Sequence, residues 1–444
     1  MARLRAVWNG VNASYWFLPG LSALLAFALA VFTVWLDRSG QTAWLGRTVG
    51  VEIARPEGAR SILTVIAGAM IGVASTVFSI TIAAVAYASG SYGPRLLTNF
   101  MEDRGNQLSL ATFIGTFVYA VVVLRTIRDA EEVAAGGGAG DALPGFVPQL
   151  SLLVAYAFTA IAVAVLVYFL NHVPASIRVN TVLESIGTRL IRDIRAEFTQ
   201  GCGGNAPEPK TKPKGGGEPV PTNRVGYIQI IDHDRLSRIA RRHGAQVALR
   251  VRTGDFVHPP KALLSWHGPG GGVRPPVEAI RGCFALGGMR TPAQDLHFLI
   301  DELVEIGLRA LSPGVNDPFT AITALHWLGA ATAELGQCDL SRGAGDAGPS
   351  DKSRVSVLND DFAHYVARGF GTMRAFVATS PPVVLVMFEV LKNTRATIRQ
   401  ADRRQVLAAE GELLIEQARL ELEGPALREA ETRHLQFARA LADD

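Results

Sequence analysis

"SILTVIAGAMIGVASTVFSITIAAVAYASGSYGP", residues 61–94, runs for 34 residues without a charged side chain. A helix needs about 20 apolar-rich residues to cross about 30 Å of hydrocarbon, so this run predicts a membrane-spanning helix with length to spare. As one helix it would extend about 51 Å. It must either tilt in the bilayer or emerge before the Gly90-Ser91-Tyr92-Gly93-Pro94 breaker.

Three further stretches, Trp16–Leu36, Gly105–Leu124 and Ala142–Ile177, also lack Asp, Glu, Lys and Arg. Arg3 and Arg5 precede the first, as in a signal peptide, but the apolar run is too long for an h-region and no small-x-small cleavage site follows. It is expected to be retained. Trp8, Tyr15 and Trp16 at one end, and Trp35 and Trp44 at the other, suit the two membrane interfaces. The fourth run continues through "NHVPASIRVN" towards a juxtamembrane helix, with Pro174 as the expected kink. The bulk numbers agree: 48% hydrophobic, 19% charged and a net charge of +3. That charge is too small and too scattered for nucleic acid to be a partner.

The spans place both termini on one side. With the termini inside, eight arginines flank the spans on the inner side and six on the outer, a faint positive-inside bias. The three cysteines are far apart and form no CxxC, as expected in a reducing compartment. The expected location is the bacterial inner membrane, multi-pass, with cytoplasmic N- and C-termini.

The expected fold is a membrane α-helical domain over 1–178, with spans about 16–36, 61–89, 106–124 and 149–170. A juxtamembrane helix and Gly/Pro-rich linker (179–223), a small cytosolic α+β module (224–290) and an all-α helical region (291–444) follow. In the module, a strand over 225–231, a helix capped by Asp232, a strand over 246–252 and another ending near Trp266 are predicted. Asp232-His233-Asp234 has the residue types of a metal site, but at a helix start they read as cap and solvated face. No metal site and no cofactor are expected.

Two stretches attract a functional reading. On the second span Gly68, Gly72, Ser75, Thr76 and Ser79 form a small, hydroxylated face. Such faces commonly serve close helix packing; the other reading is a pore lining in which hydroxyls replace water around a solute. Both hold if the face packs around an oligomer axis. The charges Arg95, Glu102, Asp103 and Arg104 fall between the second and third spans, as a headgroup-level loop or a ring at the inner mouth. No span core carries an ionisable residue, which disfavours a proton- or ion-coupled carrier.

The second stretch is "RALSPGVNDPFTAIT", residues 309–323. Ser312, Pro313, Gly314, Asn316, Asp317 and Pro318 are expected to make a corner between two helices. Thr291-Pro292-Ala293-Gln294 would open the first as a capping box and Gly314 would close it with a positive φ; Asp317 would cap the second with Pro318 at its first position. Ser312 has no G-x-S-x-G context and no assignable base, and no catalytic signature occurs elsewhere, so no enzyme activity is expected.

"FSITIAAVAYASGSYGPRLLTNFMEDRGNQLSLATFIGTF" and "RTPAQDLHFLIDELVEIGLRALSPGVNDPFTAIT" together resemble the family of predicted bacterial membrane proteins called domain of unknown function 2254. The resemblance implies an inner-membrane protein with an N-terminal four-helix part and a cytosolic domain; it carries over no residue role. The expected function is a homo-oligomeric, channel-like conduit for ions or small solutes with a cytosolic regulatory domain, its partners the lipid bilayer and its own copies. The alternative is a membrane-anchored scaffold or sensor whose cytosolic domain docks a protein partner.

Overall fold

The computed structural model describes residues 15–40, 55–93, 103–128, 146–198, 217–269, 274–340 and 354–442. They fall into two compact units that meet in sequence between Arg178 and Val179.

The first unit holds helices α1 (Phe17–Arg38), α2 (Pro56–Tyr92), α3 (Arg104–Leu124) and α4 (Gln149–Ser176). All four are long and apolar enough to cross a membrane. α3 packs against each of the others, and Phe113, Tyr119, Ala120 and Val123 along it are buried. Large apolar side chains point away from the bundle, among them Leu24, Phe27, Phe78, Leu108, Ile161 and Val167. An apolar exterior around a packed interior is what lipid requires of a surface.

Several polar groups inside this unit are paired across helices, as a low-dielectric setting favours. Ser22 Oγ donates to Ala111 O at 2.7 Å, and Thr33 Oγ1 lies 2.9 Å from Tyr119 OH. The Asp37 carboxylate on α1 accepts from Leu150 N, Ser151 N and Ser151 Oγ, which caps α4 across the bundle. α2 begins with Pro56 and runs unbroken to Tyr92, with Gly93 as its C-cap at φ 124°. Its 37 residues extend about 55 Å. Pro174 lies inside α4, and the chain leaves the helix only at Ile177–Arg178.

The second unit opens with α5 (Val179–Glu197), whose Val182, Leu183, Ile186, Leu190 and Ile194 make one buried stripe. Strands β1 (Glu218–Pro221), β2 (Gly226–Ile231), β3 (Gln246–Leu249), β4 (Phe256–Val257), β5 (Ala262–His267) and β6 (Phe284–Gly287) follow, with α6 (His233–Arg242) and the short α7 (Val277–Arg281) between them. Asp232 caps α6 by accepting from Arg235 N at 3.0 Å. Next come α8 (Leu296–Ala310), α9 (Pro318–Gln337), β7 (Val355–Ser356), α10 (Phe362–Val366), a π-helical turn over Ala367–Gly371, α11 (Thr372–Val377), α12 (Pro381–Ala396), α13 (Ala401–Glu421) and α14 (Gly424–Ala442).

The strands form two sheets, ordered β1-β5-β3-β7 and β4-β2-β6. The region after residue 291 is therefore not all helical: Val355–Ser356 adds a parallel strand beside Val247–Ala248. Two residues are too few to show alternation, so the pairing is visible only in three dimensions. Cys283 is a buried free thiol, whereas Cys338 is disulfide-bonded.

Candidate functional site

The small face of α2 points out of its own bundle. Gly68, Gly72, Ser75, Thr76 and Ser79 are all exposed, and a Cβ added at Gly68 or Gly72 would meet nothing within 4 Å. The hydroxyls of Ser75, Thr76 and Ser79 donate to the carbonyls of Ile71, Gly72 and Ser75, one turn back. At 100° per residue, Ile71, Phe78 and Ile82 flank the small face on one side, with Ile80 and Tyr87 on the other. The result is a shallow groove between apolar ridges, serving no contact within the unit.

Of the charges expected at an inner mouth, Arg95 and Glu102 lie outside the described residues. Asp103 is not a free charge: it accepts from Gly105 N to cap α3 and pairs with His172 Nε2 at 2.7 Å. Arg104 is exposed at the first position of α3.

The α8–α9 corner forms with two changes of role. Asp295, not Thr291, caps α8, accepting from Phe298 N at 3.0 Å. Gln294 takes φ 56° and its Oε1 accepts from Ile231 N, so it ties the corner's approach to β2 and closes no capping box. Asn316 adopts the left-handed conformation at φ 48° that was expected of Gly314; after Gly, Asn is the side chain that best tolerates it. Asp317 caps α9 as expected, accepting from Thr320 N and Thr320 Oγ1, with Pro318 in the first turn. Ser312 Oγ donates to Arg309 O. Pro313 and Gly314 are exposed; so are Val315 (56%) and Phe319 (76%) beside them.

A cavity of about 440 Å³ opens in the second unit. Arg189, Asp193 and Glu197 come from the last turns of α5, Arg252 from the segment after β3, His297 from the first turn of α8, and Asp360 from the approach to α10. Asp360 is the hub: its Oδ1 takes Arg252 Nη2 at 2.7 Å and its Oδ2 lies 3.1 Å from His297 Nε2. His364 Nε2 is 3.8 Å from Oδ1, and the two imidazole centroids are 5.1 Å apart. Burial pushes the Asp360 carboxyl up, but His297, Arg252 and His364 outweigh it and hold the group below its usual range. Burial, with Asp193, Asp295 and Asp360 adding to it, pushes Glu197 up to about 7. Next to the cavity, Asp295 and Asp301 anchor Arg290 at 2.8 and 2.7 Å, and Asp301 also takes Arg368 at 2.7 Å.

Among the described residues, the group with metal-ligand geometry is His297, Asp360 and His364, whose donor atoms lie within 4.8 Å of one another. The metal-type residues conspicuous in the sequence, Asp232-His233-Asp234, are not part of this group. The local signal is Asp360-x-x-x-His364, a carboxylate and an imidazole four residues apart at a helix start; the third member comes from α8.

A family model described as "Predicted membrane protein (DUF2254)" matches residues 12–393. The chain belongs to this family. Uncharacterized proteins of Mycobacterium bovis and Mycobacterium tuberculosis are 27% identical to this DUF2254 chain over 430 residues, covering 94% of it and 79% of each relative. No solved structure matches. The family description names a membrane protein and no reaction, in keeping with four apolar helices in the first unit.

Proposed function

We propose that this DUF2254 protein is a multi-pass protein of the bacterial inner membrane, with cytoplasmic termini. It assembles from several copies into a conduit for ions or small solutes, and its second unit is the regulatory domain. The observation that supports this reading is the outward groove of α2, where Gly68, Gly72, Ser75, Thr76 and Ser79 stand exposed with no partner in their own bundle. A lipid-facing surface gains nothing from small residues, whereas a neighbouring helix packs closely on them. Hydroxyls that donate to their own helix keep outward lone pairs to offer a solute. The uncharged span cores suit a passive path.

The test is efflux from liposomes holding the full-length chain, with small ions and osmolytes as probes. The expected result is flux that falls several-fold with Ser75→Phe or Ser79→Phe at equal incorporation. Folded protein passing none of them would remove the conduit.

A second reading, an anchored scaffold or sensor, is favoured by the exposed apolar side chains Val315 and Phe319 at the α8–α9 corner. A corner held by caps and carrying apolar side chains in water suits docking. The liposome measurement separates the two, because an anchored sensor carries no flux.

A further inference from the structure

Two imidazoles converge on one carboxylate beside the cavity of the second unit, and neither Nε2 makes an aligned hydrogen bond, although His297 Nε2 is in ion-pair range of Asp360. His297 Nε2 and His364 Nε2 are both shut off from solvent and make no hydrogen bond. His297 Nε2 reaches 3.1 Å from Asp360 Oδ2 without hydrogen-bond alignment, and His364 Nε2 stops 3.8 Å from Oδ1. Leaving two buried ring nitrogens without an aligned hydrogen bond is costly, and a cation shared by the three groups would relieve that cost.

The backbone around each donor is pinned. His297 lies in the first turn of α8, two residues after the cap residue Asp295, which Arg290 holds through two hydrogen bonds to one of its oxygens, at 3.1 and 2.8 Å. Asp360 lies just before α10 and His364 within it, and Asp361 between them fixes the helix start by accepting from His364 N at 2.7 Å. Arg252 grips Asp360 Oδ1 at 2.7 Å, which orients the carboxylate and leaves Oδ2 turned to His297. Outer-shell partners of this kind are what orient metal ligands.

We propose that His297, Asp360 and His364 bind a divalent first-row transition-metal ion of the Zn2+ class, with its remaining coordination positions open to the cavity. Imidazole nitrogen with a single carboxylate oxygen suits such borderline cations, whereas Mg2+ and Ca2+ take oxygen ligands. Donors of a tetrahedral ion stand about 3.4 Å apart. The donor atoms here lie within 4.8 Å of one another, so binding requires them to draw together by about an ångström. The site stands on its own geometry, whether or not the first unit conducts.

The test uses the full-length chain in detergent, stripped with a chelator, dialysed and titrated with Zn2+ by calorimetry and with Co2+ by visible absorption. One equivalent per chain is expected, with Co2+ ligand-field bands appearing to the same endpoint. His297→Ala, His364→Ala and Asp360→Asn should each weaken binding at least tenfold. His434→Ala, at a histidine paired with Glu412 elsewhere in the fold, should leave it unchanged. Where an alanine variant fails to fold, His364→Asn replaces it. No Zn2+ binding and no Co2+ bands in the folded wild-type chain, or affinities within twofold of wild type in the folded ligand variants, would overturn the site.

Discussion

Glu197 ends α5 against the cavity, and its carboxyl shows what the surrounding charges do at the level of one residue. Burial first, then Asp193, Asp295 and Asp360, raise it from 4.5 to about 7. The folded chain therefore holds this proton more tightly than the unfolded chain. Its contribution to stability is complete below about pH 4.5 and is lost as the pH rises through about 7. Other groups titrate in the same window, so the sign is read as a difference. In chelator, the unfolding midpoint of Glu197→Gln should rise relative to wild type between pH 4.5 and 7 and stay level above. A pH-independent difference would show that Glu197 carries no raised pKa. Nothing in the sequence announces this, because Asp295 and Asp360 approach Glu197 only through the fold. The capping residues were half legible for a similar reason: Asp317 sits directly before Pro318 and reads as a cap, while the choice of Asp295 over Thr291 depends on Arg290 and on the tie from Gln294 to β2.

At the scale of elements, close approach separates the two groups of glycines. Gly187 on α5 lies over Trp327 of α9, where a Cβ would collide with the indole ring. Gly187→Leu should cost about 2 kcal/mol by overpacking and lower the thermal midpoint of the second unit; an unchanged midpoint would mean that the two helices separate freely. Gly68 and Gly72 on α2 meet nothing, so their smallness serves no packing within one copy. The long helices were legible because their signals are local and repeated. α2 needed only uncharged length, and α8 showed an apolar stripe from Leu296 to Leu311. The π-helical turn over Ala367–Gly371 and the two-residue β7 were not legible, since each depends on what packs beside it. The grouping of His297, Asp360 and His364 is not legible in the sequence because His297 comes from α8 and the Asp360–His364 pair from the start of α10, each with a bland local reading.

For the whole molecule, membership of DUF2254 and four apolar helices describe a membrane protein, while sidedness rests on the count of flanking arginines alone. The central claim is that copies meet through the α2 groove within a bilayer. The most direct measurement is oxidative cross-linking in native membranes of full-length chains carrying Gly72→Cys, Ser75→Cys or Ser79→Cys, each compared with the unsubstituted chain. Leu108→Cys and Ile161→Cys, exposed on α3 and α4, serve as outward controls. The account predicts covalent dimers from the three α2 positions, in the membrane fraction, and few from the controls. Equal cross-linking at all five positions, no cross-linking from α2, or recovery of the chain in the soluble fraction would contradict it.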